Sequence, residues 1–268
     1  MNTILIDNHN LRDEFFKMLS SQSPGETNRV LYISAQSGKG KSTIIDFFYE
    51  YSSNFSAFPI RLDFKFFHIS TKLELMETII NQIRSFYSQN IQFVKYQGIL
   101  KSIALSPEGD TVIQNVEMQQ TYVGTVHINR DSSPIKQQII EEAFFQDLRD
   151  FSQSIKAKVV FLFDSFEHAP EDIRHWLYHH WILSKILGDT ILLVFAGENT
   201  IDISPKYAHE YGVKKYALPD TYDIDDWLEY GKQVNIDAET VNKCFSCYHG
   251  EPFHMCISLL PHVKGGKK

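Results

Sequence analysis

The sequence predicts an α/β fold: a parallel sheet flanked by helices, followed by a small helical domain. Strands and helical stretches alternate along the first four fifths of the chain, the pattern of a sheet built from crossover units. Two strands, Val159–Phe163 and Thr190–Phe195, are nearly continuous apolar runs. Strands of that kind are buried on both faces, as in a parallel sheet covered by helices. After Leu218 the text turns helical.

The elements follow in order. Leu11, Phe15, Phe16 and Leu19 recur at helical spacing and predict a first helix. Residues 22–28 read as a loop by composition, and Val30–Ile33 as a short apolar strand. A Gly- and Ser-containing loop follows, then a helical pattern from Ile44 to Tyr51. Phe58–Asp63 reads as a second strand. Leu73–Phe86 reads as a helix with Leu75, Ile79, Ile83 and Phe86 on one face. Tyr87–Pro134 shows no helical period and carries the turn signal Ser106-Pro-Glu-Gly-Asp110, so an inserted hairpin or loop is expected, with short strand-like pieces such as Tyr122–Ile128. Helices are expected again over Ile135–Phe151 and Glu171–Leu187, and in the tail over Asp223–Gly231, over Ala238–Cys247 and after Pro252. The expected domains are 1–218, with the insertion at about 87–134, and 219–268.

A chain of 268 residues with 43% hydrophobic residues, 20 Phe and 13 Tyr can bury a sizeable core. The net charge of -7 and the scattered basic residues, apart from Lys264, Lys267 and Lys268, argue against a dedicated nucleic-acid binder, which usually carries a basic stripe. No apolar run approaches the roughly 20 residues of a membrane span, and the start lacks a basic segment followed by an apolar one, so no signal peptide is expected. The three cysteines cannot form a fully paired disulfide framework. A cytosolic, reduced location is therefore expected.

The chemistry centres on the loop Ala35-Gln-Ser-Gly-Lys-Gly-Lys-Ser-Thr43. It fits the phosphate-binding pattern GxxxxGK[ST] except at its first position, where Ala35 stands for Gly. Strand before and helix after are the context that this pattern needs. Backbone amides of Ser37, Gly38, Lys39, Gly40 and Lys41 can turn inward around phosphate oxygens, beside Ala35 and Gln36, and the helix adds its positive end. The Lys41 ammonium would reach the β and γ phosphates of ATP or GTP, the Ser42 hydroxyl would ligate Mg2+, and Thr43 would meet the α phosphate. The fold expected is thus that of a P-loop NTPase. Asp164 ends the strand Val159–Phe163, where open α/β sheets bind their ligands, and its carboxylate suits the Mg2+ shell. Glu167, three residues on, reads either as the general base for an attacking water or as a charge at the start of the next helix.

The sequence resembles the STAND-type P-loop ATPases, relatives of the AAA+ proteins that include NACHT modules. The resemblance rests on Leu11-Arg-Asp-Glu14, on Phe144-Phe-Gln-Asp-Leu148 followed by Val160-Phe-Leu-Phe-Asp-Ser-Phe-Glu167, and on His249-Gly-Glu-Pro-Phe253 as a Gly-x-Pro motif. It implies that Arg12 approaches the base, that Pro252 touches the adenine end, and that Glu167 is the base. Many members carry Gly-Arg after the strand equivalent to Ile191–Phe195. Here Ala196-Gly197-Glu198-Asn199 offers only Asn199 as a polar sensor. The sequence stops soon after the Gly-x-Pro region, without the family's usual further domains. The expectation is either an ATPase core acting on a separate partner or part of a longer protein.

The resemblance implies a switch with slow ATP hydrolysis that controls self-association or an effector protein, in bacterial stress or phage defence. The alternatives are a P-loop kinase with a small acceptor, whose lid would carry only Arg130, and a nucleic-acid motor, which the acidic balance opposes. Cys244, Cys247, His249, His254 and Cys256 are zinc-binding types, but Cys244 and Cys247 fit a helical apolar face with Val241, so no zinc is expected. His175 and His179 are expected to be surface and packing residues, and Asp223, Asp225 and Asp226 a solvated helix start.

Overall fold

The computed structural model describes residues 9–21, 28–86, 93–104, 111–113, 126–128, 134–183, 188–199 and 202–263. The chain divides into two compact units, Met1–Leu75 with Ala157–Lys268, and Met76–Lys156.

The first unit holds a five-stranded parallel sheet. Its strands are β1 (Val30–Ser34), β2 (Phe58–Asp63), β5 (Val159–Asp164), β6 (Ile191–Gly197) and β7 (Val213–Ala217), in the order β2-β5-β6-β1-β7. The chain leaves β1 through helix α2 (Lys41–Asn54) for the far edge at β2, then works back through β5 and β6 to β1 and passes it to β7. The connections that leave the neighbouring strands β1 and β6 therefore run in opposite directions across the sheet, and the crevice outside their carboxyl ends is the switch point where such sheets bind ligands.

Both faces of the sheet are covered. Leu31, Ile33, Val160, Leu162, Leu192 and Val194 pack on one face against Leu11, Phe15 and Met18 of α1 (His9–Ser20) and Ile44, Ile45 and Phe48 of α2. The Phe15 and Phe48 rings stack at 3.8 Å. Aromatic residues pack together across the central strands in the other set: Phe163 stacks on Phe195 at 4.7 Å, and Trp181 meets Phe161 edge-on at 4.9 Å. Side chains alternate along a strand. Asp164 therefore continues the Val160–Leu162 series and points to the α2 side.

Helix α6 (Glu171–Trp176) does not run on as one regular α-helix to Leu187. It widens into a π-helix over Leu177–Ile182, and residues 184–187 lie outside the described residues. The wider turn leaves His179 and His180 exposed while Trp181 and Ile182 are buried. Two further elements were not anticipated. Helix α7 (Pro205–Glu210) is short, and β7 reads Val-Lys-Lys-Tyr-Ala because it is an edge strand whose two lysines face solvent.

Beyond the sheet, α8 (Ile224–Gln233), α9 (Ala238–Tyr248) and α10 (Pro252–Leu259) surround a small separate core of Tyr222, Trp227, Ile236, Val241, Met255 and Leu259. Asp223 and Asp226 form a capping box at the start of α8. Cys244 packs against this core, but Cys247 is exposed, so the two do not share one buried face with Val241.

The second unit contains most of α3 (Lys72–Phe86), together with α4 (Val94–Ala104), α5 (Pro134–Ser154) and an antiparallel pair, β3 (Thr111–Ile113) with β4 (Val126–Ile128). The helix α4 corrects the expectation that 87–134 lacks a helical period. Phe93, Tyr96 and Leu100 are buried at helical spacing, a stripe too short to stand out beside Gly98 and the flanking polar residues. Most of Tyr122–Ile128 and the Ser106–Asp110 turn lie outside the described residues.

Candidate functional site

The loop after β1 takes its shape from its glycines. Gly38 and Gly40 have φ of 82° and 87°, values that side chains disfavour. Ala35 has no positive φ, so its methyl group fits the first position of the pattern without strain. Gln36, Ser37 and Gly38 are exposed, as are Ser42 and Thr43 in the first turn of α2. Gly40 is the N-cap of α2 and supplies no side-chain bond to the helix amides, which leaves them for a ligand. The ammonium of Lys41 donates to the carbonyls of Ala35 (2.6 Å) and Gln36 (3.0 Å) and so lies across the loop itself.

Asp164 is buried at the end of β5, 1% exposed. Its Oδ1 accepts from the Ser42 hydroxyl at 3.2 Å and from the Ser165 amide at 2.8 Å. Its Oδ2 accepts from Arg61 Nη2 at 3.0 Å. The structure therefore joins the two residues read from sequence as the metal pair. The Arg61 contact was not anticipated. Arg61 lies on β2 in register with Leu162 of β5, which puts it on the α2 side, and its other arm bonds Asp46 of α2. The signal was present: one arginine in the otherwise buried strand Phe-Pro-Ile-Arg-Leu-Asp. Burial, opposed by Arg61 and reinforced by Asp164, raises the Asp46 carboxyl above its ordinary range.

Glu167 lies in a 3-10 turn, Phe166–His168, and not in the helix that starts at Glu171. Ser165, in the left-handed region at φ 53°, makes this turn. Glu167 Oε2 accepts from the Glu198 amide at 3.2 Å, past the end of β6. Beside it, the Tyr32 hydroxyl donates to the Asn199 carbonyl at 2.6 Å. The Tyr32 phenol is raised well above its usual value by burial and then by the Glu167 carboxylate. Asn199 is thus held by its backbone at the sheet end. Arg12, by contrast, extends along α2, its guanidinium 5.8 Å from the Phe47 ring centroid.

The Gly-x-Pro turn reaches the loop from the helical side. Gly250 has φ 77°, and a methyl group there would come within 2.0 Å of the Tyr222 carbonyl, so the turn admits only glycine. Pro252 is buried at the first position of α10. Phe253 meets the loop: a Cβ on Gly38 would lie 3.3 Å from its Cβ. Lys39, inside the loop, donates to the Asp220 carbonyl (2.8 Å) and pairs with Glu251 Oε1 (3.0 Å). Glu251 Oε2 in turn accepts from the His254 amide at 2.9 Å and lies 2.7 Å from His254 Nδ1. Burial would raise the Glu251 carboxyl, but the bonds from His254 and Lys39 outweigh it and hold it down to about 2.

Fold and loop together are those of the P-loop nucleoside-triphosphatase fold. Among known proteins, no family model matches the chain and no curated protein matches it. Two similar solved structures are Cdc6p from Pyrobaculum aerophilum and the Orc1 protein of Aeropyrum pernix in complex with DNA. The first has 12% identity and a TM-score of 0.45, covering 84% of this chain and 48% of that one. The second has 14% identity and a TM-score of 0.47, covering 97% of this chain and 61% of that one. The chain thus spans about half to three fifths of each. The DNA complex of the second runs against the expectation that nucleic acid is an unlikely partner. That expectation rested on a whole-chain charge, which averages over the surface and does not exclude a local contact. No helix among the described residues is long and apolar enough to cross a membrane.

Proposed function

We propose that the chain is a nucleotide-driven switch of the STAND type, which binds ATP with Mg2+ and hydrolyses it slowly. The observation that carries this reading is Lys39. A residue of the phosphate loop is tied to the Gly-x-Pro turn, so a ligand that reshapes the loop changes the hold on the helical part, 219–268. Differential contacts of this kind are what a two-state switch requires.

In this reading Lys41 turns from the carbonyls of Ala35 and Gln36 toward the β and γ phosphates, and Thr43 meets the α phosphate. The Ser42 hydroxyl and the Asp164 carboxylate, 3.2 Å apart, are hard oxygen donors that suit magnesium. The ion, when bound, neutralises charge that develops on the phosphates. Glu167 leaves the Glu198 amide to take a proton from the attacking water. Pro252, Arg12 and Asn199 are proposed toward the base and the γ phosphate, on the resemblance alone.

The test is phosphate release from ATP, with and without duplex DNA or small acceptors. Glu167→Gln should lower turnover by about 10²–10⁴ and leave binding intact. Phosphate appearing on a small acceptor would replace this reading with that of a kinase.

A further inference from the structure

We infer that Arg61 is a built-in cation that competes with magnesium for Asp164, and so sets how much metal the site needs; this rests on the nucleotide-binding reading above. Asp164 has its two oxygens engaged in different ways. Oδ1 faces Ser42 and the Ser165 amide, the side of the phosphate loop. Oδ2 faces Arg61. A guanidinium 3.0 Å from a carboxylate that is 1% exposed neutralises its charge in a region of low dielectric. A divalent cation drawn to the same carboxylate meets that positive charge at close range.

Arg61 also has somewhere to go. Its second arm already bonds Asp46, on the first turns of α2, so the guanidinium can shift its weight toward Asp46 without losing an acidic partner. Asp46 is about half exposed, whereas Asp164 is buried. One cation thus sits between a carboxylate that it neutralises and another that can receive it. Because two ligands that exclude each other do so reciprocally, removing Arg61 must strengthen the metal by the factor by which the metal displaces Arg61. A purely positioning role predicts the reverse: if Arg61 only aimed Asp164 at the metal, its loss would weaken metal binding.

The experiment is a titration of Mg2+ into the chain with a fluorescent ATP analogue, which reads the Mg2+ concentration at half of the metal-dependent gain in binding. For Arg61→Gln that midpoint should fall about five- to tenfold. Arg61→Lys, which keeps the charge but loses the two-armed geometry, should stay nearer the unsubstituted chain. Asp46→Asn, which removes the alternative partner and leaves Arg61 on Asp164, should raise the midpoint. The inference is overturned if Arg61→Gln leaves the midpoint unchanged or raises it in a chain with normal circular dichroism. Should Arg61→Gln not fold, Asp46→Asn decides: an unchanged or lower midpoint overturns the inference. Absence of analogue binding by the unsubstituted chain is a separate result, which removes the nucleotide-binding reading and this inference with it.

Discussion

At the scale of single residues, the phosphate loop and its acidic partner were legible because each announces itself locally. Lys41 and Ser42 stand at fixed spacing in the loop, and Asp164 closes an apolar strand. What could not be read were contacts across long separations. Arg61 meets Asp164 at a distance of 103 residues along the chain, and Lys39 meets Glu251 at 212. No spacing rule reaches that far, since the strand order that brings β2 beside β5 is a property of the whole sheet. Arg12 is the opposite case: its place follows the packing of α1 on α2, and it lies over Phe47. The residue-scale prediction concerns Asp164. Asp164→Ala should abolish the Mg2+ dependence of nucleotide binding, because Ser42 loses its acidic partner and Arg61 is left without its buried one. Equal affinity for ATP with Mg2+ and with a chelator in the variant, against a clear difference in the unsubstituted chain, is the expected measurement; a retained difference contradicts the assignment.

At the scale of elements, the buried strands were the easiest to read, since β1, β5 and β6 are buried at every position. The edge strand β7 was not, because its exposed lysines carry no apolar signature. The helix α4 was hidden by the length of its stripe, and the π-helical turn after α6 has no simple sequence rule. The turn from α9 into α10 is the element with most consequence for the site. It is fixed by Gly250 against Tyr222 and by Glu251 against Lys39 and His254. The Glu251 carboxyl is held down to about 2, below the ordinary glutamate value near 4.3. Its contribution to stability is therefore present in full above about pH 4.3 and is lost as the pH falls through about 2. Glu251→Gln should cost about 1 kcal/mol in urea unfolding at pH 7, a figure reduced by solvent at this partly open position, and nearly nothing near pH 2. The same loss at both pH values contradicts the ion-pair account.

At the scale of the whole molecule, the sheet crevice at β1, the Ser42–Asp164 contact at the end of β5 and the Gly-x-Pro turn at α10 converge on one loop. The proposed consequence is that nucleotide state changes what the chain assembles with. Glu167→Gln, slow to hydrolyse, should hold the ATP state and show a different mass by light scattering with ATP than with ADP. Identical masses with both nucleotides contradict a switch in self-assembly. The most direct test of the central claim is calorimetric titration of ATP with Mg2+ into the chain and into Lys41→Ala. The account predicts about one site per chain, and a loss of at least about 100-fold in affinity, close to 2.7 kcal/mol, when Lys41 is removed. Unchanged affinity in a folded Lys41→Ala chain, or no binding by the unsubstituted one, would contradict it.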